Sequence, residues 1–97
     1  MADQNHVNLN VGGTHFRTSL STFETLSKMV SGKMRLEKDK DGVVFIDRDA
    51  KHFNRILNFL RDGLIPIPET RAEREELQME AQFYGMQSLI SALCRIR

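Results

Sequence analysis

Apolar and polar positions change period along the chain, and each change marks an element. From Val7 to Val11 apolar residues alternate with Asn8 and Asn10, the period of a half-buried strand. Gly12-Gly13 follows as a tight-turn signal, and residues 15–18 read as the returning strand of a hairpin. Asn8 and Asn10 then fall on a polar outer face. Farther on, Asp41-Gly42 precedes Val43, Val44, Phe45 and Ile46, a run too short for a helix and mostly β-branched, which predicts a buried strand. The period then switches to 3.6: Phe53, Ile56, Leu57 and Leu60 stand at i, i+3, i+4 and i+7, the apolar stripe of one helical face. Asp49 is the predicted N-cap of this helix, Gly63 its stop, and Pro66 and Pro68 keep it from continuing.

The remaining segments are assigned in the same way. Ser21 or Thr22 can cap a helix containing Phe23 and Leu26, continued by Met29, Val30 and Met34 and broken near Gly32, so two short pieces are expected here. Residues 35–41 alternate in charge sign and read as an exposed loop. Thr70 with Glu73 three positions later is a capping-box pattern, and Leu77, Ala81 and Tyr84 mark the inner face of the helix it opens, helped by Met79 and Phe83. Gly85 breaks that helix. Met86, Leu89, Ile90 and Leu93 repeat the stripe in a final one. The fold class is therefore α+β, a small sheet against a helical cluster, with residues 7–95 as one domain and residues 1–6 as a frayed polar tail. Phe59 lies off the Phe53/Leu57 face and Asp47-Arg48 put opposite charges at the strand exit; they are either a side-on core residue and a solvated cap, or contacts to another subunit.

Composition narrows the function classes. Ninety-seven residues, 40% hydrophobic and 28% charged, suit one globular domain. The net charge of +1 removes the electrostatic argument for nucleic acid or a membrane surface. One cysteine, Cys94, cannot pair within the chain, and no apolar leader or run of about 20 apolar residues is present, which favours a reducing, intracellular setting, cytoplasmic and also nuclear.

Catalytic and cofactor chemistry finds no foothold. Gly12-Gly13 is not followed by Gly-Lys-Ser/Thr, and a strand rather than a helix comes next, so a turn is favoured over a phosphate loop. His6, His15, His52 and Cys94 have no metal-ligand spacing, leaving only a site shared between subunits open. No serine has a nucleophile setting, and Cys94, late in an amphipathic helix, reads as a buried inert thiol. No enzyme and no cofactor are expected; binding and assembly remain.

Three stretches carry a resemblance. They are Val7-Asn8-Leu9-Asn10-Val11-Gly12-Gly13-Thr14-x-Phe16-x-Thr18; Phe45-Ile46-Asp47-Arg48-Asp49-x-x-x-Phe53-x-x-Ile56-Leu57-Asn58-Phe59-Leu60-Arg61-x-Gly63; and Glu80-Ala81-x-Phe83-Tyr84-Gly85-Met86-x-Ser88-Leu89-Ile90. Together they resemble the BTB/POZ domain of the KCTD proteins, and also the tetramerisation domain of voltage-gated potassium channels, over nearly the whole chain.

The resemblance implies a three-stranded sheet flanked by about five helices, closing side by side into a homo-oligomeric ring, a pentamer or a tetramer. It implies an adaptor for a cullin-3 ubiquitin ligase, with the ubiquitination substrate held by a region outside these residues. A ring requires a heterologous interface that closes, for which Asn8, Asn10, Asp47, Arg48, Asn58, Phe59 and Arg61 are the candidates. Cullin docking in the family maps onto Met34, Leu36 and Glu37 and onto Phe83, Tyr84 and Met86. The stretch between Thr18 and Gly32 is several residues shorter than the family spacing, which would truncate the first short helices. Other readings are the assembly domain of a channel or of a signalling or transcriptional scaffold; the interface cysteines that bind zinc in channel domains are missing, since Cys94 stands alone.

Overall fold

The computed structural model describes residues 5–95. Its order is β1 (His6–Val11), β2 (Thr14–Ser19), α1 (Leu20–Val30), β3 (Val43–Ile46), α2 (Phe53–Asp62), α3 (Arg71–Phe83) and α4 (Gln87–Cys94). The strands lie in the order β2-β1-β3, with β1 antiparallel to β2 and parallel to β3. Val7, Leu9, Val11, Val44 and Ile46 turn their side chains into the core, where Leu26, Val30, Phe53, Ile56, Leu57, Leu77, Ala81, Tyr84, Leu89 and Leu93 cover them. The opposite sheet face carries Asn8, Asn10, Arg17 and the exposed Phe45.

Glycine placement follows from backbone need at the hairpin. Gly12 and Gly13 have φ of 57° and 103°, the left-handed values of a two-residue hairpin turn. Gly12 also donates its N–H to the Ile46 carbonyl at 2.9 Å, and a Cβ there would lie 2.4 Å from the Arg48 carbonyl oxygen. The hairpin tip is thus fitted against the exit of β3. The Asn10 side chain closes the same turn by accepting from the Gly13 N–H at 2.8 Å.

Several expectations are corrected. The tail was expected to run to His6; residues 1–4 lie outside the described residues, but the Asn5 carbonyl accepts from Leu20 N–H at 2.7 Å and His6 pairs with Ser19 in the ladder. The two short helices expected before Arg35 are one continuous α1, capped by Ser19 rather than Ser21 or Thr22, and this gives four helices among the described residues. α1 runs unbroken for 11 residues through the stretch between Thr18 and Gly32.

Asp49 does not cap α2. Its carboxylate accepts from Lys51 N–H at 2.8 Å in a local turn, and α2 starts four residues later, after His52, with no side-chain cap. The carboxylate is occupied before the helix begins. Met79 is 63% exposed rather than inward, and Cys94 is exposed at the end of α4, where Gln78 Nε2 contacts its Sγ at 3.9 Å. Thr70 caps α3 as expected, accepting from Glu73 N–H, and Gly63 ends α2 at φ 79° with its N–H on the Phe59 carbonyl.

Candidate interaction surfaces

The exit of β3 is fastened to α3 by charge. Arg48 donates from Nε to Glu80 Oε1 at 3.1 Å and from Nη2 to Glu80 Oε2 at 2.9 Å, and its guanidinium stands 4.4 Å from the centre of the Phe83 ring. The planar fork of arginine matches a carboxylate in this two-point manner. Glu80 is a buried residue on the inner side of α3, one helical turn from both Leu77 and Tyr84. Without Arg48 that carboxylate would face apolar neighbours unpaired. Sequence reasoning placed Arg48 at a subunit interface and passed over Glu80, although a carboxylate three positions after Leu77 and four before Tyr84 is itself the sign of a missing partner.

Beside this pair lies a cleft of about 400 Å³ lined by Asp47, Arg48, Asp49, Lys51, His52, Glu76, Met79 and Glu80. His52 is only 2% exposed. Arg55 Nη1 sits 2.7 Å from His52 Nδ1, and His52 Nε2 sits 2.9 Å from Glu76 Oε1. A guanidinium can only donate, so Nδ1 accepts and Nε2–H donates to Glu76. Lys51 Nζ reaches the same carboxylate oxygen at 2.9 Å. The hydrogen bonds from His52 and Lys51 hold the Glu76 carboxyl below its ordinary value of 4.5, and the bond to Glu76 raises Lys51 above 10.5. No periodicity links His52 to Glu76; only the fold brings them together.

The proposed subunit-contact residues divide between the two edges of the sheet. Exposed Arg61 donates to Asn58 Oδ1 at 3.1 Å and to Thr18 Oγ1 at 3.2 Å, tying the end of α2 to β2. Asp47 is exposed and Arg48 half-buried where the chain leaves β3. β2 and β3 are the two outer strands. Thr18 pairs with Val7 at one end of β1, and Ile46 pairs with Val11 at the other, so the two groups are diagonally opposed. Asn8 is exposed between them on the outer sheet face, and Asn10 is half-buried because its side chain serves the hairpin turn. Half-buried Phe59 lies apart, as a ridge shared by two shallow grooves, one with Leu64, Ile65, Ile67 and Ala92, the other with Met29, Leu60 and Met86.

The residues proposed for cullin docking separate by depth. Met34, Leu36 and Phe83 are half-buried and Glu37 is exposed. Tyr84 and Met86, expected at the docking surface, are core side chains, 1% and 2% exposed. The Tyr84 ring packs against Phe53 at 5.8 Å and edge-on to Phe83 at 5.0 Å. Burial raises the Tyr84 hydroxyl well above its ordinary 10.0, and that hydroxyl has no hydrogen-bond partner among the described residues. Among the described residues no group of His, Cys, Asp and Glu is placed to hold a metal ion, and no helix is long and apolar enough to cross a membrane.

Comparison with known proteins matches residues 7–94 to the BTB/POZ domain family. The chain is 46% identical over 94 residues to the BTB/POZ domain-containing adapter for CUL3-mediated RhoA degradation protein 2 of Rattus norvegicus, covering 93% of this chain and 29% of that protein. It is 47% identical over 92 residues to the BTB/POZ domain-containing protein KCTD21 of Homo sapiens, covering 90% of this chain and 35% of that one. The chain thus spans about a third of the length of these relatives. Carried on a three-stranded sheet with helices around it, this match means that the chain belongs to the BTB/POZ domain family, of the type found in KCTD proteins.

Proposed function

We propose that this chain is the self-assembling domain of an adaptor that brings cullin-3 to a ubiquitination substrate, the substrate being held by a region outside these residues. The observation that carries the cullin part is the 46% identity to proteins named as adapters for CUL3-mediated degradation. Met34, Leu36, Glu37 and Phe83 form the docking surface in this reading, with Tyr84 and Met86 as its floor. The setting is cytoplasmic or nuclear.

Self-assembly is supported by where the polar contacts fall. A closed ring needs two different faces on each subunit, one meeting the other on its neighbour. Arg61 with Asn58 beside β2 and Asp47 with Arg48 beyond β3 supply such a pair of faces at opposite edges of the sheet. A two-fold dimer would instead use one patch twice. Titration calorimetry of the purified domain against the N-terminal region of cullin-3 tests the adaptor reading: a Kd below roughly 10 μM is expected, and no heat at tens of micromolar contradicts it.

A further inference from the structure

Lys33 connects two segments that are far apart in sequence. Just past the end of α1, its Nζ donates to the Gln82 carbonyl at 3.1 Å and to the Phe83 carbonyl at 2.7 Å, and lies 5.3 Å from the Phe83 ring centre. The last carbonyls of a helix lack intrahelical partners and carry the negative end of the helix dipole. α3 has no basic residue in its own last turn, so the cation comes from Lys33. Its backbone is fixed as well: the N–H groups of Lys33 and Met34 both donate to the Val30 carbonyl at 2.9 Å.

Phe83 is held from several directions. Lys33 and the Glu80-bound Arg48 both lie over its ring, and Tyr84 meets it edge-on. The next turn is also seated against α1: a Cβ on Gly85, at φ 72°, would lie 3.4 Å from the Met29 carbonyl oxygen. The loop that begins at Met34 and the turn that begins at Phe83 therefore meet at Lys33. Half-buried Met34 and Leu36 and exposed Glu37 follow Lys33 directly in the chain, and Lys33 in turn is held on the half-buried Phe83.

We infer that Lys33 is the positioning residue of the cullin-docking surface: it does not need to touch the partner, and its ammonium group sets the two halves of the surface in register. This rests on the adaptor reading above. Methionine, of nearly equal length, has neither the charge nor an N–H to donate to the two carbonyls, whereas arginine has both. Neutralising Lys33 should free the Met34–Glu37 loop and loosen the Phe83 ring while the core beneath, built from Tyr84 and Met86, stays packed.

The test compares the unaltered domain with Lys33→Met and Lys33→Arg, measuring affinity for the cullin-3 N-terminal region, solution mass, and amide hydrogen exchange of the free domain. Lys33→Met is expected to weaken binding roughly three- to tenfold, to speed exchange in residues 34–37 and 83–86, and to leave the solution mass unchanged; Lys33→Arg should restore most of the affinity. Equal binding by Lys33→Met and the unaltered domain would overturn the inference while the adaptor reading stood. So would a loss that Lys33→Arg fails to restore. If the unaltered domain does not bind cullin-3, the adaptor reading falls, and unchanged exchange in Lys33→Met would overturn the joining role as well.

Discussion

Arg48 and Glu80 form a two-point ion pair across 32 positions, with N–O distances of 3.1 and 2.9 Å and side chains only 28% and 11% exposed. The pair locks the β3 exit to the inner face of α3. Removing the cation leaves a carboxylate with little water and no partner, which costs more than the pair contributes when intact. Arg48→Met is expected to destabilise the domain by about 2–3 kcal/mol in urea unfolding. The Arg48→Met/Glu80→Met double variant should lose less than the sum of the singles, because the stranded charge is gone. Additive losses would show that the two side chains do not act together.

Gly12 and Gly13 separate two effects that usually occur together. Both have positive φ, but only Gly12 faces backbone atoms where a side chain would start. Gly13→Ala should cost about 1–2 kcal/mol for conformation alone. Gly12→Ala adds a clash with the Arg48 carbonyl and should cost at least about 3 kcal/mol. Chemical denaturation midpoints check the order, and equal losses would mean that the hairpin tip is not pressed against the β3 exit.

Leu57 and Leu64 differ in burial at the two ends of one short segment, 1% against 73% exposed. Leu57→Ala should cost about 2–5 kcal/mol, since it opens a cavity under the sheet. Leu64→Ala should change stability by less than about 0.5 kcal/mol. Instead, any effect of Leu64→Ala should appear in partner binding.

Glu76 makes the acid limb of stability testable. Its carboxyl is held below 4.5 by hydrogen bonds from His52 and Lys51. A carboxyl so depressed stabilises the fold at pH above its unfolded value of 4.5, and that contribution fades as pH falls through the lower folded value. Glu76→Gln should therefore flatten the dependence of the urea midpoint on pH below about 4.5. Lys51 works in the opposite sense: raised above 10.5, it contributes below that pH and loses its contribution as pH climbs past the folded value. Identical acid limbs for Glu76→Gln and the unaltered domain would contradict the Glu76 contacts.

Periodicity and punctuation made most of the fold legible. Alternation found β1, the β-branched run found β3, and the apolar stripes with Gly63, Thr70 and Gly85 found the three later helices close to their observed bounds. Misplacements arose where one local signal had several physical solutions. Ser19, Ser21 and Thr22 can all cap, and the Asn5–Leu20 backbone bond is the tertiary contact that accompanies the start at Leu20. Asp49 has the chemistry of a cap but spends it on Lys51.

Partner choice was the harder part of the site. Glu80 was visible as a carboxylate on an apolar stripe, whereas the joining of His52 to Glu76 and of Lys33 to Gln82 and Phe83 spans long stretches of chain and depends on how α1, α2 and α3 meet. For Tyr84 and Met86 two signals disagree: their apolar spacing puts them on inner helix faces, while the family resemblance puts them at a docking surface. Their burial follows the spacing: both side chains are core.

Assembly and recruitment meet in a single measurement: light scattering on the domain eluted from a sizing column, alone and with excess cullin-3 N-terminal region. A closed ring predicts a mass four or five times the 11.2 kDa of one chain, rising on addition of cullin-3 by one partner mass per subunit. Arg61→Glu should lower the mass of the domain alone, since it reverses the charge on one of the two contact faces. A particle of 11.2 kDa that takes up no cullin-3 would contradict the account.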